Sequence, residues 1–353
     1  MRRDLRAVAL GLAVAACALI AYGCGNSDNG GGGGGGSTTA ANTAAASSSG
    51  GGKVKTAIVL PCPRSDPWCA QGFAAAQQLA SEGVIQLKVV DGAPQDNAGV
   101  AQVLGQLAQG GQQLILAHST WQDPALETGK KFPKADLAFA GTGTTSENVA
   151  TYDEPIYEPA YLAGMIAGGI TKSNVIGGTA GQDVPLCHAE LVAFEKGAKR
   201  TNPKIKMLST YIGDWNDVAK GKSAATAQMD QKADVLISCG GAPANGMAQA
   251  IKGTKVSGFG YVGDMSAQAP ENMAGSIIYN LYPYFKAMAT DVKDGKYSPG
   301  KTYKFGLADD GVSLKQNPQF SAAKIPESIS SEVEKVQQQI KDGSFKVPYV
   351  AGS

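Results

Sequence analysis

The chain has 353 residues, 43% of them hydrophobic and 17% charged, with a formal net charge of +1. That is length enough for two domains with real cores and an ordinary globular balance. So small a net charge provides no basic face from which to argue nucleic-acid binding, and none is expected.

Residues 1–23 read as an export signal. Arg2, Arg3 and Arg6 precede the apolar run "AVALGLAVAACALIAY", which is too short for a comfortable membrane span. Cys24, followed at once by a polar stretch, is the expected lipid-attachment site. Cys17 has the better small-residue approach, but cleavage before it would leave "ALIAY" exposed. Residues 24–52 are then an anchor and a Gly/Ser tether with seven consecutive glycines, Gly30 to Gly36. Such a tether has nothing to bury and a reach of roughly 30 Å. An anchor and a leash imply a protein held near a membrane.

From Lys53 short apolar runs alternate with amphipathic segments. "VKTAIVL" reads as a strand, "WCAQGFAAAQQLASEG" as a helix, "IQLKVVDG" as a strand, "NAGVAQVLGQLAQGG" as a helix and "QLILAHS" as a strand. "PALETGKKFP", "ADLAFAGTG" and "EPAYLAGMIAGGITK" continue the series. The rhythm restarts at "NVIGGTAG" and runs to "VSGFGYVGD". Alternation of this kind twice over predicts two doubly wound α/β lobes with mainly parallel sheets, whose ligands sit beyond the carboxyl ends of the strands.

Trp68, Trp121 and Trp215 are the only tryptophans, and each follows a predicted strand with an aspartate nearby: Asp66, Asp123 and Asp217. Indole rings grip flat ligands, and carboxylates accept hydrogen bonds from ligand hydroxyl or amino groups. Singly each tryptophan is more often a packing residue; three at equivalent loop positions point to a cleft. Asp123 and Asp217 are equally suited to capping the helices that follow. Asp264, after "VSGFGYV", is the best single candidate for a polar ligand contact.

In an exported protein the four cysteines beyond the tether suggest two disulfides. Cys62 with Cys69 would close the loop around Trp68, and Cys187 with Cys239 would join the ends of neighbouring strands. Cys187-His188 lacks a second ligand pair, so no metal is expected. His118, in "LILAHST", reads either as a residue that reaches the cleft or, more blandly, as a satisfied loop residue. "GFGYVG" fits a dinucleotide glycine pattern but contains strand residues, and no cofactor is expected.

The segments "EPAYLAGMIAGGITKSNVIGG", "WNDVAKGKSAATAQMDQKADVLISCGG" and "GYVGDMSAQAPENMAGSIIYN" closely resemble the basic membrane lipoprotein family, whose members are substrate-binding lipoproteins of ABC importers for nucleosides and purine bases. The likeness runs from Lys53 to about Val347. It implies a type I periplasmic-binding-protein fold with a three-crossover hinge. Lobe one would be 54–152 plus 282–300, and lobe two 153–281 plus 301–350. By the same resemblance Asp66, Trp68, Asp123, Trp215 and Asp264 are expected ligand-binding residues, and Trp121 joins them on its position after a strand. The lysine that nucleoside binders carry near the crossover is missing from Ser276-Ile-Ile-Tyr279-Asn280.

The expected protein is therefore a monomeric, lipid-anchored, extracytoplasmic receptor that clamps a purine or nucleoside and delivers it to an ABC permease. The alternatives are a sugar receptor of the same fold and a ligand-sensing partner of a membrane signalling protein. No nucleophile and base, or paired carboxylates, stand at catalytic spacing, so no enzyme is expected.

Overall fold

The computed structural model describes residues 52–297 and 299–352. The expected signal peptide, Cys24 and nearly all of the tether lie outside the described residues. No helix among the described residues is long and apolar enough to cross a membrane.

Twelve strands form two six-stranded sheets among these residues. The first is built from β1 (Val54–Val59), β2 (Ile85–Val90), β3 (Leu114–Ala117), β4 (Asp136–Ala140), β5 (Val149–Asp153) and β11 (Thr302–Lys304), in the order β11-β5-β4-β3-β1-β2. Every pairing in it is parallel. The second contains β6 (Val175–Ala180), β7 (Lys206–Tyr211), β8 (Val235–Cys239), β9 (Ser257–Gly260), β10 (Met273–Tyr279) and β12 (Val312–Gln316), ordered β12-β10-β9-β8-β6-β7. Only β12 runs antiparallel, against β10.

Helices cover both faces of each sheet, so β3 and β8 are buried at every position, as parallel strands between helix layers must be. Alternate residues of the first sheet serve two cores. Ile58, Leu114 and Leu116 join the main core, while Ala57, Val59, Ile115, Leu137 and Phe139 face a smaller one beneath α2 (Asn97–Gln109) and α3 (Gln122–Lys131).

The chain passes between the sheets three times: after β5 into α4 (Tyr157–Ile170), after β10 into α8 (Tyr282–Lys293), and between β11 and β12. These crossings are the three-crossover hinge. One boundary needs correction. β11 pairs with β5, Tyr303 opposite Tyr152, so the returning part of the first lobe extends to Lys304 and does not stop at 300. At the hinge the Lys304 ammonium lies 2.7 Å from Asp153, and Glu158 accepts from the Leu307 amide at 2.8 Å.

In the second lobe α4 packs on α5 (Pro185–Thr201) with their backbones touching. A Cβ on Gly164 would fall 2.0 Å from the Phe194 carbonyl oxygen, and one on Gly197 2.0 Å from that of Tyr161.

Candidate ligand-binding cleft

The carboxyl ends of the strands in both lobes carry the candidate residues, and the first lobe builds its side around Trp68. Asp66 caps α1 (Pro67–Ser81), accepting from the Trp68 amide at 2.9 Å, with Pro67 favouring the first helical turn. Residue 68 is thereby fixed at the mouth of a helix. Its indole N–H donates to the His118 carbonyl at 3.1 Å, and its ring lies on the His118 imidazole, centroids 4.2 Å apart and planes 8° apart. Tyr152 continues the stack behind His118 at 6.1 Å.

The hydrogen bonds of His118 determine its tautomer. The Trp68 carbonyl, 3.0 Å from Nε2, can only accept, so Nε2 carries the proton; Nδ1 accepts from the Tyr152 hydroxyl at 2.7 Å. His118 is wholly buried, and burial lowers its pKa to about 4. The pedestal under Trp68 is therefore a neutral imidazole. Gly72 leaves room for it, since a Cβ there would sit 2.5 Å from Nε2.

This gives an expected pH dependence. Below pH 6.5 the unfolded chain takes up a proton at His118 that the folded chain refuses until about pH 4, so stability falls as pH drops through that window. The loss from this group should be about 3 kcal/mol. Urea titrations at pH 7 and pH 4.5 of the parent and His118→Phe would check it, the variant losing less stability to acid than the parent.

The second lobe supplies a floor of small residues. Trp215 is half-buried and lies over Gly181, where a Cβ would meet the indole Cε3 at 2.3 Å, and over Gly240, where it would meet it at 3.0 Å. Gly240 also has φ +111°, a conformation that favours glycine, and it makes the single-residue turn from β8 into α7 (Gly241–Ile251). Here the two lobes touch. A Cβ on Gly241 would be 2.6 Å from the second carboxylate oxygen of Asp66, and Tyr279, ending β10, meets Trp68 edge-on at 5.5 Å. Burial raises the Asp66 pKa against the lowering effect of the Trp68 and Cys69 amides. Asp66 of one lobe is thus brought against Gly241, next to the glycine floor beneath Trp215 of the other, and Trp68 against Tyr279.

The remaining expected residues fall elsewhere. Trp121 is 7% exposed and belongs to the smaller core with Phe139 and Ala125. It directly precedes α3 with its ring packed into the smaller core of the first lobe, away from its expected place at the ligand. Asp123 is exposed in the first turn of α3 and makes no cap hydrogen bond, whereas Asp217 does cap α6 (Val218–Asp230) through the Lys220 amide at 2.9 Å. Asp264 is exposed and already engaged: the Lys315 ammonium lies 2.7 Å away and the Ser266 amide 3.0 Å. The hydrogen bond from Lys315, with that of Ser266, lowers its pKa to about 2.

Lys315 went unread in the sequence. It lies on β12 opposite Ser276, so a neighbouring strand supplies at Asp264 the positive charge absent from the Ser276 to Asn280 segment. Glu190 was missed as well, although an acid among the apolar positions of α5 (Cys187, Leu191, Phe194) was a visible signal. The sulfurs of Cys62 and Cys69 are at bonding distance with Cα atoms 5.9 Å apart, as are those of Cys187 and Cys239 at 5.5 Å. Among the described residues, one group of three side chains has metal-ligand spacing: Cys187, Glu190 and Cys239. Its two sulfurs are paired with each other.

Residues 53–344 match the family model described as Bmp, ABC transporter substrate-binding protein, PnrA-like. A purine-binding protein of Brucella abortus is 25% identical over 251 residues, 71% of this chain and 69% of that protein. The ABC transporter nucleoside-binding protein BmpA of Lactococcus lactis is 28% identical over 245 residues, 64% of this chain and 68% of that one. An ABC transporter solute-binding protein structure from Aeropyrum pernix superposes with a TM-score of 0.71 at 21% identity, covering 84% of this chain and 94% of that one, and shows the same fold. Two lobes, a three-crossover hinge and this match across the folded part together place the chain in the Bmp family of PnrA-like ABC transporter substrate-binding proteins.

Proposed function

We propose that the protein is the extracytoplasmic receptor of an ABC importer and clamps a purine base or nucleoside between Trp68 and Trp215. The observation that carries this reading is the seating of the two indoles: Trp68 rests on the neutral His118, and Trp215 lies over Gly181 and Gly240 on the opposite lobe. Aromatic stacking across a hinged cleft suits a flat ring. The purine-binding and nucleoside-binding relatives support that ligand class. Asp66, beside Trp68, accepts from ring N–H or amino groups, and the Asp264–Lys315 pair offers both a donor and an acceptor to a ribose.

The two cysteine pairs are read as disulfides that hold the Trp68 loop and tie α5 to the end of β8. Lipidation at Cys24 would tether the receptor to the membrane, where the closed form docks on the permease. Recognition requires closure and no bond making.

Calorimetric titration with adenine, guanine, hypoxanthine, their ribosides and a panel of hexoses and pentoses tests the reading. The expected result is binding of bases or ribosides with quenching of tryptophan fluorescence. Binding confined to sugars would overturn it in favour of a sugar receptor.

A further inference from the structure

Oε1 and Oε2 of Glu190 and Oε1 of Glu154 are buried with no hydrogen-bond partner among the described residues. They belong to one neighbourhood, since both carboxyls act electrostatically on the Tyr261 and Tyr279 hydroxyls. Glu190 is wholly buried, one turn beyond Cys187 on α5, and its carboxyl is within 4.8 Å of the Cys187 and Cys239 sulfurs. Cys239 leads directly into Gly240 under Trp215. Tyr279 meets Trp68 edge-on at 5.5 Å, and Tyr261 meets Tyr279 edge-on at 6.0 Å. The acid therefore stands where the residues of both lobes converge, behind the ring site.

A buried carboxyl with neither oxygen paired destabilises the fold. Packing does not call for one there: the buried neighbours along α5 are Leu191, Phe194 and Ala198. Burial pushes its pKa well above the usual glutamate range. A protonated carboxyl presents an O–H donor beside a carbonyl acceptor, and this pair is the complement of a planar edge that carries an acceptor beside an N–H.

We propose that the Glu190 carboxyl is a specificity-determining group of this cleft, pairing through two hydrogen bonds with the lactam edge of an oxopurine, with the Tyr279 hydroxyl alongside. This rests on the purine reading above and adds which ligand edge faces the inner wall.

The test compares the parent with Glu190→Gln and Glu190→Leu, each titrated with hypoxanthine and melted without ligand. Gln keeps a donor beside an acceptor in the same shape, so its affinity should stay within about threefold of the parent. Leu removes both groups and should weaken binding by about tenfold or more, while the ligand-free melting temperature rises. Unchanged affinity in Glu190→Leu, or a loss in Glu190→Gln as large as in Glu190→Leu, overturns the proposal and leaves the purine reading in place. An arm that needs no variant uses 1-methylhypoxanthine, whose lactam N–H is blocked: the parent should bind it about tenfold more weakly than hypoxanthine, and equal binding overturns the proposal. A parent that binds no purine or nucleoside overturns both readings.

Discussion

Gly164→Val is expected to cost the second lobe a large part of its folding stability. The α4 backbone touches α5 at this point, a Cβ on Gly164 falling 2.0 Å from the Phe194 carbonyl oxygen. No rotamer relieves a clash between a Cβ and a main-chain atom, so the helices must separate. That opens the buried seam between them, which is lined by Tyr161, Met165, Phe194 and Ala198. Overpacking of a core in this way costs about 3 kcal/mol or more, or roughly 6 °C in melting temperature for a domain of this size. Gly105→Ala in α2 is the control, because its Cβ would meet only the Phe132 ring at 3.4 Å. Thermal unfolding followed by circular dichroism checks both. A Gly164→Val protein melting with the parent would show that the two helices do not approach so closely.

Trp68→Ala and Trp215→Ala should each weaken ligand binding by about ten- to a hundredfold, the worth of one base–aromatic stack at roughly 1 to 3 kcal/mol. The two losses should differ in origin. Trp215 is half-buried over glycines, so its removal takes away contact area and little else. Trp68 is hydrogen-bonded to His118 and stacked on it, so its removal also uncovers a buried imidazole and should lower the melting temperature. Calorimetry with the tightest-binding base or riboside decides the matter. Undiminished affinity in both variants would remove the clamp from the account.

The fold was legible because each lobe repeats a short apolar run followed by an amphipathic one, and parallel strands buried on both faces leave that imprint. The start of α1 was legible to within one residue, at Trp68, but its cap was not: Asp66, read as a ligand contact, also caps the helix. β11 was not. Thr302-Tyr303-Lys304 buries only Tyr303, and its place in the first sheet comes from a partner about 150 positions earlier in the chain. Local pattern carries no record of such a pairing.

The site divided along the same line. Trp68 at the first turn of α1 and Trp215 in the loop before α6 are both announced by their flanking residues. Trp121 has the same surroundings in sequence, yet its ring turns inward because it directly precedes α3 and a core lies beneath it. The engagement of Asp264 by Lys315 depends on the antiparallel strand β12, and the sequence distance between them conceals it.

The late return of the chain to the first sheet has a consequence for synthesis. Until Lys304 has been made, the first lobe lacks an edge strand and, for most of that time, the helix α8, whose Phe285 and Met288 belong to its core. A nascent chain shorter than this cannot complete the side of the first sheet that α8 and β11 close. Such a chain stays open and threadable until nearly all of it exists, which suits passage through a narrow translocation channel ahead of folding on the far side.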